Sequence, residues 1–307
     1  MSMVQFLWSP WSSKTQETKA RLTHLADLGI YKHEKPYELW VNAEPEIPRT
    51  NCKFVDHDVP IEDVRSNSTL SNIDKTGVKF LSHKSAYSFE EGRPHQDNMA
   101  GYLAESTELL KAELGAEKVF IFDWRYRKNN FGGSKPSFDF LTAKTPRSHA
   151  HNPSHVVHSD ESFDSGKAKM RRYLTEKEQD EFDFEHYRVR IVNLWRPLIP
   201  VVEDAPLVFA DRRTVKGSDF IPFDRVLNDR VVEELYMVHH PHHHWFWLSK
   251  QKCSEPVMFV TWDSLCKTSD QPVASVPHTS FISPNDAGNY TSRESIELRS
   301  IIITRRS

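Results

Sequence analysis

The feature that most constrains the fold is a run of short, β-rich segments in the second half of the chain. These segments are rich in Val, Ile, Phe, Trp and Tyr, the residues that favour strands. The connections between them are too short for crossover helices, so the strands are expected to pair antiparallel. The segments are 187–195, 206–210, 234–238, 245–248 and 257–262. The pattern predicts an antiparallel barrel or sandwich.

Helical patterns flank this region. Residues 15–28 predict one helix that stops at Gly29, and residues 97–115 read as an amphipathic helix that ends at a glycine and packs on a sheet. The spacing of Thr175 and Glu178 is that of a capping box and predicts the start of a short helix. The chain is therefore predicted to be mainly β with flanking helices.

A single domain over residues 1–307 is predicted, because 38% hydrophobic residues suffice for one buried core and no internal repeat is visible. Within it, residues 1–34 are interpreted as an N-terminal appendage. Residues 35–150 are expected to supply strands and a supporting helix. Residues 151–307 are expected to form the core barrel with the metal site.

Charge and cysteine content narrow the partners and the compartment. With 40 basic and 43 acidic residues the formal net charge is −3, which does not favour nucleic acid or anionic membrane as a partner. Three cysteines without CxxC spacing argue against a disulfide framework. No signal-peptide pattern and no apolar run of about 18 residues is seen. A cytoplasmic protein that acts on a small molecule is predicted.

A histidine and a carboxylate lie two positions apart, at His158 and Asp160, just after a short β-branched run. Residues i and i+2 of a strand point to the same face. The pair would supply two of the three ligands of a facial triad, which leaves three positions open on a non-heme Fe(II). His278 begins a second apolar segment and is the candidate for the third ligand.

Other histidines compete for this role, because the chain contains 16 of them. His149, His151 and His155 each lack a carboxylate two positions later. The cluster at 239–244 is of the kind that binds zinc. However, it surrounds Pro241 at a predicted hairpin turn, where polar side chains are common, and we interpret it as a turn.

The last predicted strand has one polar face. Arg293, Ser295, Glu297 and Arg299 lie on this face, and Ile296 and Leu298 lie on the other. Buried charge is costly unless it is paired, so a polar face inside a barrel needs a ligand or a partner. An Arg-x-Ser pair offers a planar guanidinium and a hydroxyl to a carboxylate, and a dicarboxylate ligand would account for the face.

Seven segments together resemble a fungal group of Fe(II)/2-oxoglutarate-dependent oxygenases that includes gibberellin desaturase, the AsaB-type hydroxylase/desaturases and the CmcJ-like proteins. The resemblance spans nearly the whole chain. The segments are LWVNAEP at 39–45, GAEKVFIFD at 115–123, VHSDES at 157–162, VNLWRPL at 192–198, APL at 205–207, HWFW at 244–247 and RESIELR at 293–299.

The resemblance implies a double-stranded β-helix, that is, a jelly-roll or cupin-like barrel. It implies iron on His158, Asp160 and His278, a C-terminal arginine that holds 2-oxoglutarate, and O₂ as the second co-substrate. No catalytic residue beyond the metal site is expected. The implied reaction oxidises an unactivated C–H bond of a small hydrophobic natural-product intermediate, by hydroxylation, desaturation or ring formation, with succinate and CO₂ as co-products.

The remaining candidates fall into two sets. Those for the co-substrate are Arg293 with Ser295, Arg299, and the pair Asn193 and Arg196, which either contact it or orient a metal ligand. Those for the substrate are aromatic or adjacent to aromatic residues, although such runs are also common in cores. They are His244, Trp245, Trp247 and Trp195.

Two other functions use the same residues. A cupin-like metal-dependent hydrolase or isomerase would hold zinc on His158, Asp160 and His278, and it would not need a dicarboxylate anchor. A non-catalytic small-molecule-binding barrel would need neither iron nor keto acid. The substrate, the reaction outcome and the oligomeric state stay open at this stage, with a homodimer among the options.

Overall fold

The structure is a computed structural model that describes residues 18–41, 44–87, 89, 96–130, 150–266, 274–282 and 290–306. Strands dominate these residues. The strands are β1 (Thr18–Leu25), β2 (Tyr37–Leu39), β3 (Phe54–Asp63), β4 (Val78–Phe80), β5 (Lys118–Lys128), β6 (His158–Ser159), β7 (Tyr187–Pro197), β8 (Leu207–Ala210), β9 (Phe220–Val226), β10 (Val231–Met237), β11 (Trp245–Trp247), β12 (Val257–Asp263), β13 (His278–Ser280) and β14 (Glu294–Arg305). The helices are α1 (Gln96–Leu114), α2 (Phe163–Tyr173) and α3 (Glu176–Glu181).

The strands form two sheets. The larger has nine strands in the order β1-β3-β11-β8-β13-β6-β10-β9-β2, and the smaller has five in the order β4-β12-β7-β14-β5. Pairing is antiparallel except between β11 and β3 and between β2 and β9. From β11 to β14 the chain passes alternately from one sheet to the other, the wrapping that characterises a jelly roll. The predicted mainly β architecture is confirmed.

Helix α1 covers the outer face of the smaller sheet, as its amphipathic pattern predicts. Its Tyr102 and Leu110 are buried against Ile296, Leu298 and Ile302 of β14. The helix ends before Gly115, whose φ of 59° lies in the left-handed region favoured by glycine. Alternation along β14 therefore points its polar residues to the opposite face, between the two sheets.

The helix predicted for residues 15–28 is wrong, because β1 occupies Thr18–Leu25 and pairs antiparallel with β3. Buried Ala20, Leu22 and His24 alternate with more exposed neighbours, which is the two-residue period of a strand rather than the 3.6-residue period of a helix. This segment belongs to the larger sheet. The sheet framework therefore begins ahead of the boundary predicted at residue 35.

The hairpin predicted around Pro241 is also wrong. Strand β10 pairs with β9 and β6, whereas β11 pairs with β8 and β3. Three other strands, β8, β13 and β6, lie between β11 and β10 in the sheet. The jelly-roll topology thus separates two strands that are neighbours in the sequence.

Gly166 allows α2 to pack closely on the smaller sheet. A Cβ at this position would lie 2.2 Å from a ring carbon of Trp262, and that ring is fully buried and donates from Nε1 to the Phe163 carbonyl. We expect Gly166→Ala to lower the free energy of unfolding by about 1 to 3 kcal/mol, the usual effect of overpacking. The clash outweighs the helix propensity gained with alanine, about 1 kcal/mol at most.

Urea unfolding measures this effect. Gly29→Ala is the matched control, because no atom of the described residues other than Gly29 and its two chain neighbours lies within 4 Å of the Cβ it would add. A Gly166→Ala protein as stable as the Gly29→Ala protein would contradict the close packing of α2 on Trp262.

Candidate metal centre

Three buried side chains converge between the sheets: His158 on β6, Asp160 directly after it and His278 on β13. Their potential ligand atoms all lie within 4.8 Å of one another. His158 Nε2 is 3.6 Å from Asp160 Oδ1, and the two imidazole ring centroids are 4.5 Å apart. The two histidines are direct cross-strand neighbours in an antiparallel pair. The structure thus brings together the three residues predicted as a metal triad.

Backbone carbonyls fix the orientation of both imidazoles. His158 Nδ1 lies 2.8 Å from the Val156 carbonyl oxygen, and His278 Nδ1 lies 3.0 Å from that of Val276. A carbonyl only accepts, so we assign the ring proton to Nδ1 in each case. The lone pair of each Nε2 is then available, which is the arrangement of metal-ligating histidines whose other nitrogen donates to the backbone.

The protonation states also suit a metal. Burial, with a further contribution from His278, lowers the pKa of His158 to about 3, so this imidazole is neutral at neutral pH. Burial acts to raise the pKa of Asp160, but nearby positive charge, that of Arg299 above all, outweighs it and holds this pKa well below its usual range. A neutral imidazole and an ionised carboxylate are the forms that coordinate divalent metals.

Asn193 of β7 holds the Asp160 carboxylate in place. Its Nδ2 donates to Asp160 Oδ2 over 2.7 Å and lies 3.3 Å from Glu297 Oε1. Of the two roles considered for Asn193, the geometry favours the orientation of a ligand. Outer hydrogen bonds of this kind fix the position of coordinating groups.

We expect Asn193→Ala to weaken Fe(II) binding by about 10- to 100-fold, the usual effect of losing such a partner. Anaerobic titration with Fe(II) measures it. Asn67→Ala is the control, because Asn67 also makes side-chain hydrogen bonds but makes them to Glu62 and Thr69. Equal iron affinities in the two variants would show that Asn193 does not act through Asp160.

The prediction that Arg196 acts at this site is corrected by the structure. Arg196 is three residues from Asn193 and therefore projects from the opposite face of β7. Its guanidinium donates to the carbonyls of His83 and Cys253 and to the hydroxyl of Tyr102 on α1. It is a buried structural cation beneath α1.

Arg293 has the properties of an anion-binding residue. Its side chain is fully buried, it donates to the Ala205 carbonyl, and the guanidinium lies 5.7 Å from the centre of the Trp195 ring. Among the residues that the structure describes, no carboxylate forms an ion pair with it. Its Nε and the hydroxyl of Ser295 also lack hydrogen-bond partners within the described parts of the chain. Burial lowers the pKa of Arg293 to about 9.

A carboxylate brought by a ligand would meet these unmet requirements, since leaving a buried donor or charge unpaired is costly. The Trp195 ring beside Arg293 belongs to the same apolar cluster as Phe259, whose ring centroid lies 4.6 Å from that of His278. Burial is the largest cause that lowers the pKa of His155 to about 4, and the positive charge of Arg293 is the second. His155 in turn contacts Ser280, two residues after His278. The residues present therefore fit the dicarboxylate implied by the sequence.

Arg299, the second candidate, already has two partners. Its Nε donates to Glu297 Oε1 over 3.0 Å, and its terminal nitrogen lies 3.5 Å from Asp160 Oδ1. Its guanidinium is thus engaged in neutralising two buried carboxylates. The geometry favours Arg293 for an incoming carboxylate and Arg299 for the charge of Asp160.

The aromatic candidates divide between two apolar clusters. Trp195 is buried in the same cluster as Phe209 and Phe259, whose ring centroids lie 6.3 and 4.6 Å from that of His278. The sequence interpretation missed both phenylalanines. Their positions in predicted strands marked them as core, and no motif distinguished them from other core residues.

Strand alternation corrects the candidates on β11. Phe246 joins the cluster of Trp195, whereas Trp245 and Trp247 pack on the other face, with Ala20 and Phe281 respectively among their neighbours. His244 bonds through Nε2 to Glu62 on β3, at 2.8 Å. Phe246, rather than Trp245 or Trp247, is therefore the residue of β11 on the face that packs with Trp195.

The sequence model of the family described as "Oxidoreductase/YMDC permease-like domain" matches residues 24–303. The chain belongs to this family. The match includes all three residues of the cluster and every strand except most of β1 and the last two residues of β14. None of the helices that the structure describes is long and apolar enough to span a membrane.

Fungal proteins are among the relatives of this family member. It is 26% identical over 264 residues to the hydroxylase/desaturase CTB9 of Cercospora beticola, a match that covers 81% of this chain and 77% of the relative. It is also 26% identical over 254 residues to the alpha-ketoglutarate-dependent dioxygenase tstK of Talaromyces stipitatus, with coverage of 80% and 84%. The resemblance expected from the sequence is confirmed.

The fold is that of a solved relative, the iron and alpha-ketoglutarate-dependent endoperoxidase NvfI. A single-substitution variant of that protein superposes with a TM-score of 0.77 at 21% identity, covering 94% of this chain and 97% of the other. A second NvfI structure gives a TM-score of 0.75. The jelly-roll barrel predicted for this family member is confirmed.

Proposed function

We propose that the protein is an Fe(II)/2-oxoglutarate-dependent oxygenase that oxidises an unactivated C–H bond of a small natural-product intermediate. The observation that carries the proposal is the buried cluster of His158, Asp160 and His278, in which both imidazoles direct an available Nε2 at a shared centre. Two histidines and one carboxylate form the facial triad of non-heme iron oxygenases. The family relatives named dioxygenase, hydroxylase/desaturase and endoperoxidase support the same class.

The three triad residues would hold the iron, and the described residues around them would supply the rest of the site. Bound Fe(II) with 2-oxoglutarate activates O₂ for C–H oxidation and yields succinate and CO₂. Arg293 and Ser295 hold the far carboxylate of the keto acid, because both carry unmet hydrogen-bonding capacity in a buried position of the described structure. Asn193 and Arg299 keep Asp160 oriented and ionised.

Aromatic side chains exclude water from the His278 side of the centre. Trp195, Phe209 and Phe259 form one apolar cluster beside this imidazole, and removing water strengthens the electrostatic interactions within a site. An apolar wall suits a hydrophobic substrate. Whether it is hydroxylated, desaturated or cyclised depends on which bond the pocket places near the metal, since reaction requires contact at about 3 to 3.5 Å.

We also treat residues 1–307 as one oxygenase domain, because each sheet takes strands from both halves of the chain. A cytoplasmic location fits the cysteines. Cys52 and Cys253 are free thiols, and cysteines outside disulfides are usual in a reducing compartment.

Anaerobic addition of Fe(II) and 2-oxoglutarate tests the function. We expect the weak metal-to-ligand charge-transfer band of a chelated keto acid in the visible spectrum, since this band requires the metal, the co-substrate and the correct geometry together. A zinc hydrolase or isomerase built on the same three residues would have no need for 2-oxoglutarate. Iron binding without the band, or the absence of iron binding, would exclude the proposal.

A further inference from the structure

A second group of histidines surrounds one buried carboxylate. Asp219 directly precedes β9, and the turn between β10 and β11 carries three histidines whose Nε2 atoms face it. The distances to the nearer carboxylate oxygen are 3.5 Å for His240, 3.4 Å for His242 and 3.0 Å for His243. None of these residues belongs to the triad of His158, Asp160 and His278.

Hydrogen bonds hold this turn at both ends, to Asp219 at one end and to Asp211 and Thr214 at the other. The Val238 amide donates to the Asp219 carbonyl at 2.9 Å, and the His244 carbonyl accepts from the Asp211 amide at 2.8 Å. The His244 amide also donates to Thr214 Oγ1 at 3.0 Å. The carboxylate itself accepts from the Lys216 amide. The imidazoles and the carboxylate are therefore preorganised by the backbone.

The three histidines differ in role. His243 is buried, and its Nδ1 accepts from the His240 amide at 3.3 Å, so its proton is on Nε2. The 3.0 Å contact with Asp219 is then an ordinary N–H···O hydrogen bond. His243 is thus a positioning residue that fixes the carboxylate.

His240 and His242 make longer contacts with the Asp219 carboxylate than His243 does, and that of His242 is a long hydrogen bond. Their contacts of 3.5 and 3.4 Å are long for N–H···O bonds. They are close to the edge of a zinc tetrahedron, about 3.3 Å for metal–ligand bonds of about 2.0 to 2.1 Å. Their rings are nearly parallel, with centroids 5.3 Å apart, and both side chains are about 40% exposed. A metal can enter from solvent, and rotation of both rings would bring the two Nε2 atoms to one ion.

We propose that Asp219, His240 and His242 form a second metal site, which takes Zn²⁺ with water as the fourth ligand. Imidazole and carboxylate are the ligands that zinc accepts in tetrahedral sites. The bound ion ties the β10–β11 turn to the start of β9. It therefore stabilises the larger sheet away from the proposed iron centre.

Zinc stoichiometry tests the site in iron-free protein purified without a histidine tag. Zn²⁺ is titrated in competition with a chromophoric chelator. We expect two zinc equivalents in the wild type, one in His240→Gln/His242→Gln and one in Asp160→Ala, because each variant loses a different site. His57→Gln/His239→Gln is the control, since these two rings stack on each other at 4.1 Å outside the Asp219 group, and it keeps two.

The thermal midpoint gives a second measurement. Zinc raises it in Asp160→Ala, which keeps the Asp219 site, but not in Asp160→Ala/His240→Gln/His242→Gln, which loses both sites. The substitutions at His240 and His242 are at exposed side chains and leave Asp219 unchanged. The wild type could also bind a single zinc equivalent. If His240→Gln/His242→Gln loses that equivalent and Asp160→Ala keeps it, the result supports this site while excluding the proposed iron centre. Equal zinc binding by the wild type and His240→Gln/His242→Gln would overturn the inference.

Discussion

Asp160→Ala is expected to abolish iron binding and succinate production while the barrel stays folded. In the proposed iron centre Asp160 is the anionic ligand, and its loss should cost more than the roughly 10- to 100-fold typical of an outer partner. The fold is expected to survive because Asp160 makes polar contacts with Asn193 and Arg299 and belongs to no apolar cluster of the described residues. Arg299 retains Glu297 as a partner.

Anaerobic iron titration and succinate assay measure the loss, and circular dichroism reports the fold. Asp164→Ala is the matched control, because this exposed carboxylate lies four residues away in the first turn of α2. It removes the same charge and should cost only a few tenths of a kcal/mol to about 1 kcal/mol. Near-wild-type succinate production by Asp160→Ala would refute the assignment of the metal centre.

Arg293→Gln is expected to raise the apparent dissociation constant for 2-oxoglutarate at least about tenfold. A hydrogen bond to a charged group contributes about 1.5 to 3 kcal/mol, and about 1.4 kcal/mol corresponds to one factor of ten. The buried guanidinium of Arg293 has no carboxylate partner among the described residues, so an incoming carboxylate gains the whole interaction. Titration of 2-oxoglutarate into the Fe(II) complex, followed by the charge-transfer band, measures the change.

Arg299→Gln is the informative comparison, because it removes the same charge six positions along β14. That distance is about 20 Å at about 3.3 Å per residue, so both arginines cannot hold the same carboxylate. Arg299→Gln should act through Asp160 and Glu297, on iron affinity and stability. If Arg299→Gln weakened 2-oxoglutarate binding and Arg293→Gln left it unchanged, the two roles would be reversed.

The three residues of the proposed iron centre could be predicted because each is marked by the sequence immediately around it. His158 and Asp160 are two residues apart in the sequence, and His278 begins a recognisable strand. The capping box at Thr175 and the glycine that ends α1 are equally local, and both are present. Strand pairing is different, because the order of β11 and β10 in the sheet depends on which distant strands insert between them.

The incorrect assignments of Arg196 and of the β11 tryptophans could have been avoided, because side chains alternate between the two faces of a strand. Arg196 is an odd number of residues from Asn193, so the two side chains lie on opposite faces of β7. Phe246 lies between Trp245 and Trp247, so it lies on the opposite face of β11 from both. The group of histidines around Asp219 could not be predicted from strand alternation. It exists because the β9–β10 hairpin pairs Phe220 with Met237, and that register places Asp219 beside the turn.

The position of β6 has a consequence for how long the proposed metal centre stays assembled. Its two residues are paired on both sides, so that His158 lies between Tyr236 of β10 and His278 of β13. A strand inside a nine-stranded sheet cannot fray from an edge, and opening it breaks pairs on both sides together. Separation of the two histidines is therefore a rare, sub-global event. We therefore expect the backbone positions of the two histidines in the proposed centre to last as long as this part of the sheet stays paired.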